Sequence, residues 1–112
     1  MTELQDHCPL NIAINIISGK YKLFILRTLF AKESYRYSEL RKACNKITEK
    51  MLTQQLRELE KDGIVSRKVY PQVPPKVEYS LTVSGQKLCM SLHPLYDWGV
   101  EYMKENQPDI QV

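Results

Sequence analysis

The chain has 112 residues, 43% of them apolar and 26% charged, the size and balance of one domain with a modest core. No apolar run approaches the ~20 residues of a membrane span, and the N-terminus lacks the basic-then-apolar order of a secretory signal. A soluble, cytoplasmic protein with no membrane partner is expected. The net charge of +3 hides a segregation: residues 20–76 carry 14 Lys or Arg against 6 Asp or Glu, and both flanks are net acidic. A basic centre between acidic ends suits a surface that meets a polyanion.

Pro9 fits a first helical position, and Leu10, Ile12, Ala13, Ile16 and Ile17 recur at helical spacing until Gly19, which predicts a short helix within residues 8–19. A second helix is expected over about residues 20–32. Its Tyr21, Phe24, Ile25, Leu26, Leu29 and Phe30 cover most of the circumference, as in a central core helix. Tyr35-Arg36-Tyr37 reads as a short extended link. Ser38 is placed to cap a third helix carrying Leu40, Ala43 and Cys44.

Thr48 is placed to cap a fourth helix that ends at Gly63. At 100° per residue, Leu52, Leu56 and Leu59 fall in one narrow arc, while Lys50, Thr53, Gln54, Arg57 and Lys61 fall on the opposite side. Two helices joined by a short connection, the second apolar within and donor-rich without, describe a helix-turn-helix over residues 38–61. Residues 64–82 then read as a β-hairpin wing, with Pro71, Pro74 and Pro75 confined to its tip because proline cannot donate to a ladder. A last helical region follows over residues 83–105, where Pro94 is expected to kink or divide it near His93. Residues 106–112 read as a frayed tail. The fold class is therefore mainly α with a small β-hairpin (α+β), a winged helix-turn-helix with terminal helices.

On the exposed stripe, Lys50 and Arg57 can donate to guanine edges or phosphates, Gln54 can pair with adenine, and Thr53 can meet a base or a phosphate. An ordinary solvated helix face would mix both signs; here Glu49 and Glu58 flank a basic or neutral centre. Arg67, Lys68 and Lys76 on the wing add candidates for phosphate or the flanking minor groove, and Arg36 and Ser38 add others at the entry to the third helix. Lys20, Lys22, Arg41 and Lys42 are expected nearby. One module this small reads little sequence, so a two-fold homodimer on two half-sites is the natural extension. The terminal helices, with Leu88, Leu92, Leu95, Tyr96, Trp98 and Tyr102, are the surfaces for pairing. The rival reading is a winged-helix protein-interaction module that meets an acidic protein rather than DNA.

The segments Gly19-Lys-Tyr-Lys-Leu-Phe-Ile-Leu-Arg27, Tyr35-Arg-Tyr-Ser-Glu-Leu-Arg41, Met51-Leu-Thr-Gln-Gln-Leu-Arg-Glu-Leu-Glu60 and Tyr70-Pro-Gln-Val-Pro-Pro-Lys-Val-Glu-Tyr-Ser-Leu-Thr82 together resemble the HxlR-type (DUF24) winged-helix regulators. Gly85 and Trp98-Gly99 also fit, and Tyr21 stands where that family usually has Trp. The resemblance implies a dimeric bacterial transcriptional regulator that binds a double-stranded DNA operator, with residues 48–61 as recognition helix and 64–82 as wing. It implies a dimer interface built from residues 8–19 and 83–105. In several relatives a cysteine just before the first helix senses quinones, aldehydes or oxidants, and Cys8 sits at that place.

Cys8, Cys44 and Cys89 form no CxxC pair, so neither a disulfide framework nor a zinc knuckle is expected. A thiol at a helix N-terminus meets the positive end of the dipole, which favours thiolate, although most free cysteines are only small buried hydrophobes. Cys44 at a helix end is one partner for Cys8, and Cys89 reads as a core or interface residue. No glycine-rich phosphate loop or HExxH is present, and His7 and His93 are too few for a metal cluster. No catalytic residue, metal or cofactor is therefore expected.

Overall fold

The computed structural model describes residues 7–106, so the expected tail beyond residue 106 lies outside it. Among the described residues, five helices and a three-stranded antiparallel sheet follow the order α1 (Pro9–Ile17), α2 (Lys22–Phe30), β1 (Tyr35–Arg36), α3 (Tyr37–Ala43), α4 (Glu49–Lys61), β2 (Val65–Tyr70), β3 (Lys76–Leu81) and α5 (Val83–Asn106). The strand order is β1-β3-β2. One apolar cluster holds these elements together. Ile25, Leu26 and Leu29 of α2, Leu40 of α3 and Leu52, Leu56 and Leu59 of α4 meet Tyr35, Val65 and Tyr79 of the sheet. Burying each of these large side chains contributes about 1.5–3 kcal/mol, which holds a domain of this size.

The expected extended link is in fact a strand. Tyr35 pairs with Tyr79 and Arg36 with Glu78, so β1 closes the hairpin into a sheet. Extended backbone therefore persists through Arg36 and moves the start of α3. Arg36, not Ser38, is the N-cap residue, and Ser38 lies inside the first turn. The orphan N–H of Arg36 donates to the Glu39 carboxylate at 2.8 Å, the reach-back half of a capping box.

Pro94 does not divide the last helix, which runs unbroken from Val83 to Asn106. Pro94 and Met90, whose carbonyl loses its usual donor, are both exposed, so water can replace the missing bond. Nor is α2 enclosed all round. Leu23, Phe24 and Phe30 point outward, and only the Lys22–Ile25–Leu26–Leu29 side is buried.

The base of the wing is tied to α5 through Thr82. Its hydroxyl donates to the Gly63 carbonyl at 2.6 Å and accepts from the Gly85 N–H at 3.0 Å, and its own N–H donates to the Ile64 carbonyl at 3.0 Å. Gly63 takes φ 76°, the left-handed turn that ends α4 and that glycine adopts without a Cβ clash. Gly85 is glycine for another reason: a Cβ there would collide with the Ile64 carbonyl oxygen.

Candidate nucleic-acid interface

The candidate surface begins with a cap. Thr48 Oγ1 accepts from the Met51 N–H at 3.1 Å and starts α4 in register. From that start, Leu52, Leu56 and Leu59 point into the core. Lys50, Thr53, Gln54 and Arg57 line one open depression, with Glu49 and Glu58 at its sides. The structure thus gathers four of the five stripe residues around one depression, and Lys61 lies outside its lining. Thr53 is the least exposed of them, its hydroxyl 3.4 Å from the Tyr37 phenol.

The wing candidates divide. Neighbouring strand residues face opposite ways, so Arg67 and Lys68 cannot act from one surface. Arg67 pairs with Tyr79 across the sheet, whereas Arg36, Glu78 and Lys68 stand in one cross-strand row. Lys76 bonds Glu78 at 2.8 Å, and the ammonium groups of Lys68 and Lys76 both lie within 5 Å of the Tyr70 ring centroid. The Lys76 bond holds the Glu78 carboxyl below its usual range, with lesser help from Ser34 and Arg36. The outer face is therefore a cationic patch of Arg36, Lys68 and Lys76 around one satisfied acid. Ser38 is exposed on α3, apart from this row.

Lys22 departs from expectation. Expected near the basic surface with Lys20, Arg41 and Lys42, it is instead only 4% exposed, and its ammonium lies 3.5 Å from Glu58 beneath α4. Its spacing to Ile25, Leu26 and Leu29 already sets it on the core stripe of α2. Gln55, whose polarity also suggests solvent, is only 6% exposed, and its amide donates to Glu58 at 3.4 Å.

The thiols sort by burial. Cys44 lies in the core, its thiol pushed up by desolvation, and its Sγ is 4.0 Å from Thr28 Oγ1. Burial also pushes up the Cys89 thiol, 3.8 Å from the Leu26 carbonyl. Cys8 is half-buried at the N-cap of α1 and makes no side-chain capping bond. Among the described residues no cluster of three His, Cys, Asp or Glu side chains could hold a metal ion, and no helix is long and apolar enough to cross a membrane.

A capped helix with a donor-rich outer face, preceded by a second short helix and followed by a hairpin, defines a winged helix-turn-helix. The chain belongs to the HxlR-like helix-turn-helix family, whose model matches residues 16–107. It is 50% identical over 97 residues to the HTH-type transcriptional regulator YdeP of Bacillus subtilis, covering 87% of this chain and 75% of YdeP. Among solved structures it is similar to the redox regulator HypR in its oxidized form, with TM-score 0.69 and 44% identity over 89% of this chain and 98% of that one. It is also similar to diamide-treated YodB from B. subtilis, with TM-score 0.74 and 29% identity over 85% and 94% of the two chains. The protein is a helix-turn-helix transcriptional regulator by family.

Proposed function

We propose that this chain binds a double-stranded DNA operator as a homodimer, with α4 in the major groove and the wing beside it. The observation that carries the reading is the convergence of Lys50, Thr53, Gln54 and Arg57 on one exposed helix face. Arg57 and Lys50 suit guanine or phosphate, Gln54 suits adenine, and the Arg36–Lys68–Lys76 patch suits the flanking backbone. Such contacts hold DNA largely by releasing counterions, so affinity falls steeply with salt. Nothing in this role calls for catalysis.

Pairing is supported by what the fold leaves uncovered. No residue of α1 is buried, although its sequence is almost wholly apolar. Leu10 is 69% exposed and Trp98 61%, and Leu23, Phe24, Leu95 and Tyr102 extend the same uncovered character over α2 and α5. An apolar surface of that extent needs a partner, and two-fold symmetry supplies an identical one.

Cys8 is the thiol placed for control by a small electrophile or oxidant. It is neither enclosed like Cys44 nor held against α2 like Cys89, and it stands at the start of a helix assigned here to pairing. The similar structures of HypR and YodB are described as redox or diamide-treated forms, which supports the same reading.

The test is retardation of a duplex, selected by the parent chain from a randomised pool, at rising salt with parent and Arg57→Ala protein. Salt-sensitive binding that Arg57→Ala abolishes, with fold and dimer unchanged, is expected. No retardation at low salt would point instead to a protein-interaction module. Equal affinity of the variant would refute the role given to α4.

A further inference from the structure

The one acid that faces the recognition stripe from its downstream side is held from beneath by two buried polar groups. Glu58 lines the same depression as Gln54 and Arg57. Its Oε1 lies 3.5 Å from the Lys22 ammonium, and its Oε2 accepts from the Gln55 amide at 3.4 Å. The Lys22 side chain is 5% exposed and that of Glu58 47%, so restraint comes from the core and the carboxylate remains at the surface. The turn between α1 and α2 closes over both donors. A Cβ on Gly19 would stand 2.6 Å from Gln55 Oε1 and 2.8 Å from Lys22 Cδ.

Burying an ammonium is costly unless a counter-charge meets it. A methionine would fill the same place on the core stripe of α2 without that cost. A lysine here binds one specific group, and that group borders the groove-facing surface. An acid at such a border is unfavourable for phosphate binding if its side chain swings outward, because like charges at close range repel.

We propose that Lys22, with Gln55, is a positioning residue for DNA recognition. It folds the Glu58 carboxylate back against the helix flank and so keeps it away from the phosphates that Arg57 and Lys50 engage. Lys22 touches no DNA. Its effect passes wholly through Glu58, and this assignment rests on the DNA-binding reading above.

A double-mutant cycle separates positioning from simple charge and from simple stability. Fluorescence anisotropy with the duplex selected by the parent chain measures affinity for parent, Lys22→Met, Glu58→Gln and the double variant, with thermal melts beside each. Glu58→Gln should change parent affinity by no more than about threefold, because its carboxylate is already turned away. In the Lys22→Met background the same change should improve affinity by about tenfold, because there it removes a released acid. Charges that act independently add, so an equal gain in both backgrounds overturns the proposal. A loss in Lys22→Met that Glu58→Gln does not recover also overturns it and marks Lys22 as structural. A parallel cycle with Gln55→Leu removes the second restraint while leaving the buried ammonium paired, and returns an answer even where Lys22→Met does not fold. There too a larger gain than in the parent is expected, and an equal one counts against the proposal. Absence of any duplex binding by the parent chain overturns the DNA reading and this one with it, whereas additivity overturns this one alone.

Discussion

The phenol of Tyr37 stands 3.4 Å from the hydroxyl of Thr53, and its ring lies 6.3 Å from that of Tyr79. One side chain at the start of α3 thus bridges the middle of α4 and the central strand of the sheet. The helix-turn-helix and the wing are set relative to each other by a contact between side chains as well as by the loop that joins them.

Removing that phenol oxygen should be mild. Tyr37→Phe keeps the ring against Tyr79 and is expected to cost no more than about 1 kcal/mol, since a net hydrogen bond contributes about that much. Thr53→Val added to it should cost little more, as both changes remove the same contact. Urea denaturation of the two single variants and the double variant measures this. Full additivity would show that the 3.4 Å approach contributes nothing.

Gly85→Ala should be among the most damaging small substitutions. The added methyl group would meet the Ile64 carbonyl oxygen, which is backbone and already accepts the Thr82 N–H. A loss of about 1–3 kcal/mol is expected, the usual range for overpacking a fitted site. Chemical denaturation reads it directly. Gly99→Ala is the control, because its Cβ would meet nothing within 4 Å.

Glu39 links the start of α3 to pH. The Arg36 N–H, and secondarily Lys32, hold its carboxyl below the ordinary value of 4.5. A carboxyl that is more acidic folded than unfolded stabilises above its unfolded value, and that contribution is lost as pH falls through its folded value. Glu39→Gln should therefore lower the melting temperature near neutrality. The gap between variant and parent should close as pH drops below 4.5, and a gap that widened on acidification would contradict the capping role.

The thiols should label in order of access. In the folded protein, iodoacetamide is expected to modify Cys8 first and Cys44 only as fast as the core opens, because Cys44 is fully enclosed and its thiol is pushed up. Timed alkylation followed by peptide mass spectrometry measures the order. Early modification of Cys44 would show a core far looser than its packing.

The proposed pairing surface predicts a hot spot. Trp98 is 61% exposed and stacks on Tyr102 with 5.2 Å between ring centroids. Trp98→Ala should weaken a homodimer by at least about 2 kcal/mol, or roughly 30-fold, the usual cost of removing a central aromatic. Sedimentation across a concentration series checks this, and an unchanged dimer would place the interface elsewhere.

Much of this architecture was legible in the sequence because it is local. The arc of Leu52, Leu56 and Leu59, the Thr48 cap and the proline-tipped hairpin each follow from residues a few positions apart. What escaped depends on distant partners. Two residues, Tyr35 and Arg36, are too short a run to show alternation, and they become a strand only because β3 offers them a free edge. Ser38 looked like the cap because nothing local reveals that pairing. Lys22 escapes for the same reason: its charge suggests solvent, and its place on the core stripe is explained only by the Glu58 carboxylate above it.

Thr82 joins the Gly63 carbonyl after α4, the Ile64 carbonyl at the start of the hairpin and the first turn of α5 within a single side chain and its own peptide. The long helix therefore has no slack where it leaves the sheet. A rotation of α5 about its first turn would have to break or stretch the same hydrogen bonds that fix the base of the hairpin.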